Sequence, residues 1–575
     1  MNPLTAYARR LGQVARTLTI TTTVAAATAT AQDPLPQQPP LPIVLEQQQP
    51  IPGAAVPLDP AAIPGAPLLV DPVPAPKPNP PRWQTPLPKP GYFTVTPTGP
   101  GYYSALDQFR GNELAAPPKY PYPRTSLIFN SNADINWSYL KDPNNTQHDY
   151  ADFLKWIPIA DGVTFTTGGE FRYRFMNEIN SNGRTSGATD AFNMFRERVY
   201  GDLWIGDRLR FFVEGYSADV TARSISPLST DIDRGDFLNL FADVRLFQFG
   251  EKDNPVYFRA GRQELVYGSQ RLISALDWVN ARRTFDGFKM FTRTEKWDFD
   301  LFGVRPVVPN ATNLDASDHN QFFSGAWFTY RNAPNQNVDL YYLDLNNSNH
   351  TAASGNGGVP GGYNVSTFGG RYVGKANNWL WDFEPMLQFG HYSNQSIMAK
   401  AVAADVGYQW SELAWNPQFW LGWEYASGDP DPQASGTRRT FNQLFPFGHY
   451  YFGFADLVGR QNINDYFANF VFFPTKWITM TTQYHVFRLD SNKDALYGPG
   501  GNVIRQDKTG KAGDDVGNEL DLVSNLHLSN HSDVLVGYSY LFAGSFLKNT
   551  APAGAAHDAM SANPSLFYAQ YSYRW

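Results

Sequence analysis

The residues of this chain best suited to chemistry are arginines set two apart, with carboxylates in the same rhythm. Glu170, Arg172 and Arg174 make one such set, and Arg196 and Arg198 recur in step with Tyr200 and Asp202. Arg245 keeps step with Asp243, Arg259 with Gly261 and Gln263, and Arg371 with Gly369. A guanidinium stays charged at any physiological pH, and its planar fork binds a carboxylate through two parallel hydrogen bonds. Several forks around a narrow, partly dehydrated passage would hold successive carboxylates weakly and repeatedly, as selective conduction requires. The same spacing also suits a plainer outcome, in which arginine and carboxylate ladders on facing strands satisfy one another. Arg262, Arg282 and Arg283 stand behind the others, because a strand break expected near Gly268 leaves their phase ambiguous.

Catalytic chemistry finds little footing. The chain has no cysteine, which excludes thiolate metal sites, cysteine nucleophiles and a disulfide scaffold. Its nine histidines include no His-Glu-x-x-His pair. His527 and His531 lie close to Ser529 and Ser532, but Asn530-His531-Ser532-Asp533 reads as an ordinary turn between strands. Gly168-Gly169 falls inside a strand pattern rather than at a helix start, so it is no phosphate or dinucleotide loop. Asp429 and Asp431, in Gly428-Asp429-Pro430-Asp431-Pro432, could offer oxygens to calcium, although a solvated loop explains both. No cofactor and no enzymatic activity are expected.

A two-residue rhythm has meaning only on strands, and the sequence from Asp161 to Trp575 alternates throughout. In the segment from Val163 to Phe175, one face reads Val, Phe, Thr, Gly, Phe, Tyr, Phe and the other Thr, Thr, Gly, Glu, Arg, Arg. Leu209 to Gly215 repeats the pattern after a tight Gly206-Asp207 turn. Leu238, Leu240, Ala242, Val244 and Leu246 alternate with Asn239, Asp243 and Arg245. Trp381, Phe383, Leu387 and Phe389 alternate with Asp382, Glu384 and Gln388. A soluble sandwich would bury the apolar faces in one core. Here those faces are heavily aromatic and the opposite faces mix Arg with Glu and Asp, as a transmembrane barrel demands. Phe567, Ala569, Tyr571, Tyr573 and Trp575 share one face at the C-terminus, like the closing strand of an outer-membrane protein. With mean hydropathy of −0.40 and no long apolar run, helices cannot do the spanning. The expected fold is therefore all-β, a large antiparallel transmembrane β-barrel over residues 161–575. At roughly 20–25 residues per strand and loop it has about 16–20 strands, an even number. Asn346 to Gly362 and Ser427 to Thr440, rich in Gly, Asn and Ser, should be large loops.

The N-terminal part carries other signals. Arg9, Arg10 and Arg16 precede a charge-free run that ends in Ala29-Thr30-Ala31, so residues 1–31 read as a signal peptide. Its removal takes the formal charge from −7 to −10, the wrong sign for a nucleic-acid binder. Half of the 44 prolines fall between Gln32 and Pro100, and residues 32–125 read as a disordered, extended tether. Residues 126–160 form a transition segment. The exported product belongs in the bacterial outer membrane, with lipid around it.

Four blocks resemble the alginate-export outer-membrane barrels over about residues 130 to 575. They are Leu154 to Pro158 with Gly168 to Arg174; Arg259 to Gly268 with Arg271-Leu272, Asp277-Trp278, Asn280 and Arg283 to Gly287; Tyr425 to Asp429 with Phe441 to Pro446 and His449; and Gly517 to Asp521 with Gly537 to Ser539 and Gly544 to Phe546. The resemblance implies an 18-stranded barrel that passes an anionic uronate polysaccharide outward through an arginine-rich constriction. Its partners would be that polymer and periplasmic export scaffold proteins, and the barrel would act as a monomer. The long tether departs from the family pattern. The alternatives are a porin taking up small anionic solutes on the same scaffold, and a structural or adhesive barrel with a plugged lumen.

Overall fold

The computed structural model describes residues 94–575 apart from 119–121, 123–130, 136, 182–188, 251–253, 351–360, 432–435 and 552–561. The signal peptide expected at 1–31 and the tether up to residue 93 lie outside the described residues, as do parts of both large loops. Eighteen antiparallel strands, from Val163–Ile179 to Ser565–Arg574, close into one barrel. The first strand pairs with Thr189–Ile205 along its whole length. Its other edge takes the last strand, from Glu170 opposite Arg574 to Ile179 opposite Ser565. Gly169 and Trp575 add a reciprocal pair of backbone hydrogen bonds at 3.1 Å. A Cβ on Gly168 would lie 2.4 Å from the Trp575 carbonyl and 2.5 Å from Lys155 Nζ, so the seam requires glycine there.

Burial runs opposite to that of a soluble protein. Met398 is 65% and Leu421 58% exposed, whereas Arg196 is 1% and Glu214 0% exposed. The aromatic and aliphatic faces expected from alternation point outward, with Val199, Phe211, Leu240, Leu387 and Phe389 among their exposed members, but Leu238, expected beside Leu240, is turned inward by a register shift opposite Glu214 and Gly215. Only a hydrocarbon surround makes such an exterior favourable, and the charged interior must then satisfy itself. Among the described residues no helix is long and apolar enough to cross a membrane. Connections are short at one end of the barrel, as at 206–208, 294–296, 334–335, 377–378 and 476–477, and long at the other, as at 264–284, 427–462 and 489–514. Short turns mark the periplasmic end and long loops the outer face.

Residues 94–118, counted in the tether by composition, have a definite structure on the short-turn end. Val95 exchanges hydrogen bonds of 3.3 and 2.6 Å with the Gln418 side chain, and Lys476 Nζ donates to the carbonyls of Thr98 and Gly99. A short helix, Ala105–Arg110, is capped by Ser104 and closed by Gly111. Its first residues meet the turn at 528–531, where the Leu106 amide donates to the Leu528 carbonyl. In the transition segment, Lys155 donates to the carbonyls of Thr167 and Trp575, beneath the seam. The prolines at 97, 100, 117 and 118 thus do not prevent the other polar groups of this stretch from finding partners on the barrel.

Candidate functional site

The interior of the barrel has one wall rich in arginine. Glu170, Arg172 and Arg174 project inward from the first strand and Arg196 and Arg198 from the second, all at most 2% exposed. They face a segment that leaves the wall after the strand Pro255–Gln263. The strand ends at Gln263 rather than near Gly268, because the Glu264 amide turns to Asn239 Oδ1 at 2.9 Å instead of continuing the ladder. Residues 265–284 then fold into the bore, burying Leu265, Leu272, Ile273 and Trp278. Arg172 donates to the Asp277 and Val279 carbonyls at 2.7 and 2.9 Å, and Arg174 to the Trp278 carbonyl at 2.6 Å. Arg196 binds the Asp277 carboxylate at 2.6 Å and Glu170 at 2.7 Å. Arg198 pairs with Glu214 at 2.8 Å, and Arg282 with Glu264 at 2.6 Å and with Asp277. The Arg174 guanidinium lies 3.7 Å above the Trp278 ring, which also stacks on His449 with centroids 3.5 Å apart.

Across the bore, the strands Trp379–Tyr392, Gln395–Gln409 and Gln418–Ala426 present Asp382, Glu384, Asp405 and Glu424, all buried. Arg271, only six residues before Asp277 in the same infolded loop, serves all four. It lies 3.0 Å from Glu424, 3.2 Å from Asp382, 2.9 Å from Glu384 and 2.6 Å from Asp405. Arg460, from the second infolded loop, pairs with Glu424. That loop carries buried Phe441, Phe447, Phe452 and Phe454 into the bore. Its backbone also meets acids, as the Ala455 amide donates to Glu519 at 2.8 Å and the Phe454 amide to Asp521 at 3.3 Å. Gly453, at φ +80°, lets the chain approach so closely that a Cβ would stand 2.2 Å from Glu519. The two loops pair with each other through Ser274 to Phe445, Phe445 to Leu272 and Phe447 to Gln270. A cavity of about 490 Å³ remains toward the short-turn end, lined by Lys289, Arg293, Asp298, Asp300, Asp339 and Arg371 and edged by Thr94 to Thr96.

Of the remaining candidates, Arg259 lies inside and is closed by Asp243 through two bonds of 2.7 and 2.9 Å. Arg371 is likewise held by Asp382 at 2.7 and 2.6 Å. Arg245 is half-buried at the short-turn end and pairs with Asp207. Arg262, the last residue but one of its strand, pairs at the long-loop end with Asp286 and Asp236, while Arg282 belongs to the infolded loop and is as central as any strand arginine. Asp429 spends its carboxylate on the amides of Asp431 and Arg439, which shapes the loop. His527 pairs with Asp533, and His531 bridges Asp149 and the Arg574 carbonyl. The acids Asp382, Glu384, Asp405 and Glu424 and the cations Arg271 and Arg460 did not emerge as site residues from strand spacing. The block from Arg271 to Asp277 was visible only as a motif.

A closed sheet of 18 strands with an apolar exterior and a charged interior defines a porin-like channel of the bacterial outer membrane. Residues 163–560 match the sequence model for alginate export, and the chain belongs to that family. Among solved structures it is similar to Pseudomonas aeruginosa OpdO, with 13% identity over 72% of this chain and 97% of that one and a TM-score of 0.45. It is also similar to Pseudomonas aeruginosa OccK1 (OpdK), with 11% identity over 73% and 100% and a TM-score of 0.47. For Acinetobacter baumannii OccAB2 the values are 10%, 72% and 98%, and 0.46. No curated protein matches the chain.

Proposed function

We propose that this channel passes an anionic, uronate-type polysaccharide, and that Arg172, Arg174, Arg196 and Arg198 with Glu170 form the wall that receives it. The reading is supported by what now fills that wall. Asp277 and the carbonyls of 277–279 offer the arginines one carboxylate and a run of neutral oxygens. A uronate unit carries the same set, one carboxylate and several oxygens, so the polymer can replace the segment contact for contact. Movement of 276–283 alone suffices, with Arg271 left on the acidic wall, where it screens four carboxylates that would otherwise repel the polymer. Arg259 and Arg371 line the same bore but are closed by aspartates, and Arg245 stands at its periplasmic rim as a first contact. The chain acts as a passive conduit, without cofactor or catalytic group. Its proline-rich stretch serves as a spacer toward periplasmic scaffold proteins.

The test is single-channel recording in planar bilayers, with and without added polyuronate, on wild type and on the double variant Arg172→Ala, Arg174→Ala. Polyuronate should block the wild-type current, and the variant should need at least tenfold more of it. A large conductance indifferent to polyuronate would favour uptake of small anions. No conductance under any condition would favour a structural barrel. Unchanged reversal potential and block in the variant would remove those two arginines from selectivity.

A further inference from the structure

At the long-loop end three carboxylates meet. Asp233 and Asp236 open the strand Asp233–Gln248, and Asp315 arrives from the connection that follows Trp297–Val308. One oxygen from each lies within 4.8 Å of the other two. A fourth acid, Asp286, is joined to the group through Arg262, which binds Asp286 at 2.9 Å, Asp236 at 3.2 Å and the Asp315 carbonyl at 3.0 Å. Arg234, next in sequence to Asp233, is engaged by Asp219 at 2.7 and 2.9 Å on the exposed side. Arg262 therefore pairs with two of the four carboxylates, and Asp233 and Asp315 form no ion pair among the described residues. Asp233 is 0% exposed. Its Oδ2 accepts the Tyr216 hydroxyl, but its Oδ1 is buried and meets no hydrogen-bond donor among the described residues. A carboxylate oxygen that has lost its water, gained no donor and stands among other acids is unfavourable unless a positive charge joins it.

We propose that Asp233, Asp236 and Asp315 bind one Ca²⁺ ion, which clips the connection carrying Asp315 to the head of the strand Asp233–Gln248. Every donor is a hard oxygen, the class that selects alkaline-earth cations over softer metals. Ca²⁺ tolerates an irregular set of six to eight oxygens, so water can complete the shell at the half-exposed Asp315. Affinity in the range of extracellular calcium modules, about 0.1–1 mM, is expected for a site open to the medium. The clip does not depend on what the bore conducts.

The test uses the full chain in detergent, stripped with EDTA. Tb³⁺ serves as the Ca²⁺ probe, read by luminescence sensitised from tyrosine, since Tyr216 touches Asp233. Wild type should give a saturable signal that Ca²⁺ displaces, and Asp315→Asn should weaken Ca²⁺ competition at least tenfold. Thermal midpoints supply a second readout: Ca²⁺ should raise that of wild type above its EDTA value and leave that of Asp315→Asn unmoved. With no metal, the same substitution removes a repulsion, so the variant would be the more stable protein in Ca²⁺ as well as in EDTA. That result, or equal Tb³⁺ binding by both proteins, overturns the proposal.

Discussion

The two walls of the bore carry opposite charge and are closed by the same loop in different ways. On the arginine wall the loop supplies mostly backbone carbonyls and a single carboxylate, so each wall guanidinium loses only neutral or singly charged partners if the loop leaves, and Glu264, which then loses Arg282, keeps Arg198 at 3.9 Å. On the acidic wall one guanidinium touches all four carboxylates, with Arg371 as a second partner of Asp382 and Arg460 of Glu424, and nothing neutral can replace these cations. The first contact is easily exchanged for other oxygens. The second is an anchor, because removing a cation from buried acids leaves uncompensated charge. An infolded segment held in this asymmetric way can peel from one side while staying fixed on the other.

The largest effect should come from Arg271→Met. It strips the shared cation from Asp382, Glu384, Asp405 and Glu424, at a cost of about 3–5 kcal/mol. Urea unfolding in detergent should show it, together with a permanently raised conductance. Wild-type stability in this variant would mean that the acidic wall holds itself and would erase the contrast. Asp277→Asn should cost less, about 1.5–3 kcal/mol, because the carbonyls of 277–279 stay bonded. It should also raise open probability more than it lowers stability, a ratio that sharpens the distinction between exchangeable and anchoring contacts. Gly453→Ala places a Cβ against Glu519 at a left-handed φ, and about 1–2 kcal/mol is expected. Its readout is thermal melting, with no change in the arginine wall's affinity for polyuronate.

The smallest effect lies outside both walls. Burial alone would raise the Asp149 carboxyl, but the His531 ring at 2.5 Å and the Ala151 amide at 3.0 Å outweigh it and hold it below the ordinary carboxylate range. A depressed carboxyl stabilises the fold above its unfolded value of about 4 and loses that contribution as pH falls through the lowered value. Acid titration of melting should therefore show a slope below about pH 4 in wild type that Asp149→Asn lacks.

The barrel was largely legible in the sequence, since alternation is local. Val163 to Phe175 and Leu380 to Phe389 each reveal their inner and outer faces without reference to anything distant, and the tight turn after Ile205 announces itself. What the loops do was not legible. Leu265-Val266-Tyr267 continues the look of a strand, and only the Glu264 amide's bond to Asn239 ends it. Arg271 finds its acids 111 to 153 residues later in the chain, a pairing that no spacing rule within one segment can reach. Spacing placed Arg172 and Arg174 on the inner face, while the identity of their partners depended on a loop whose path the sequence does not encode locally.

The seam between Glu170–Ile179 and Ser565–Arg574 bears on how the molecule is made. The strand that emerges early from the export machinery must keep one edge open until nearly four hundred further residues have followed it. Exposed in hydrocarbon, those unpaired main-chain groups would cost several kcal/mol each. Entry into the bilayer is therefore tied to delivery of the final ten-residue strand. Truncating that strand should strand the polypeptide in the periplasm rather than yield a narrower cylinder.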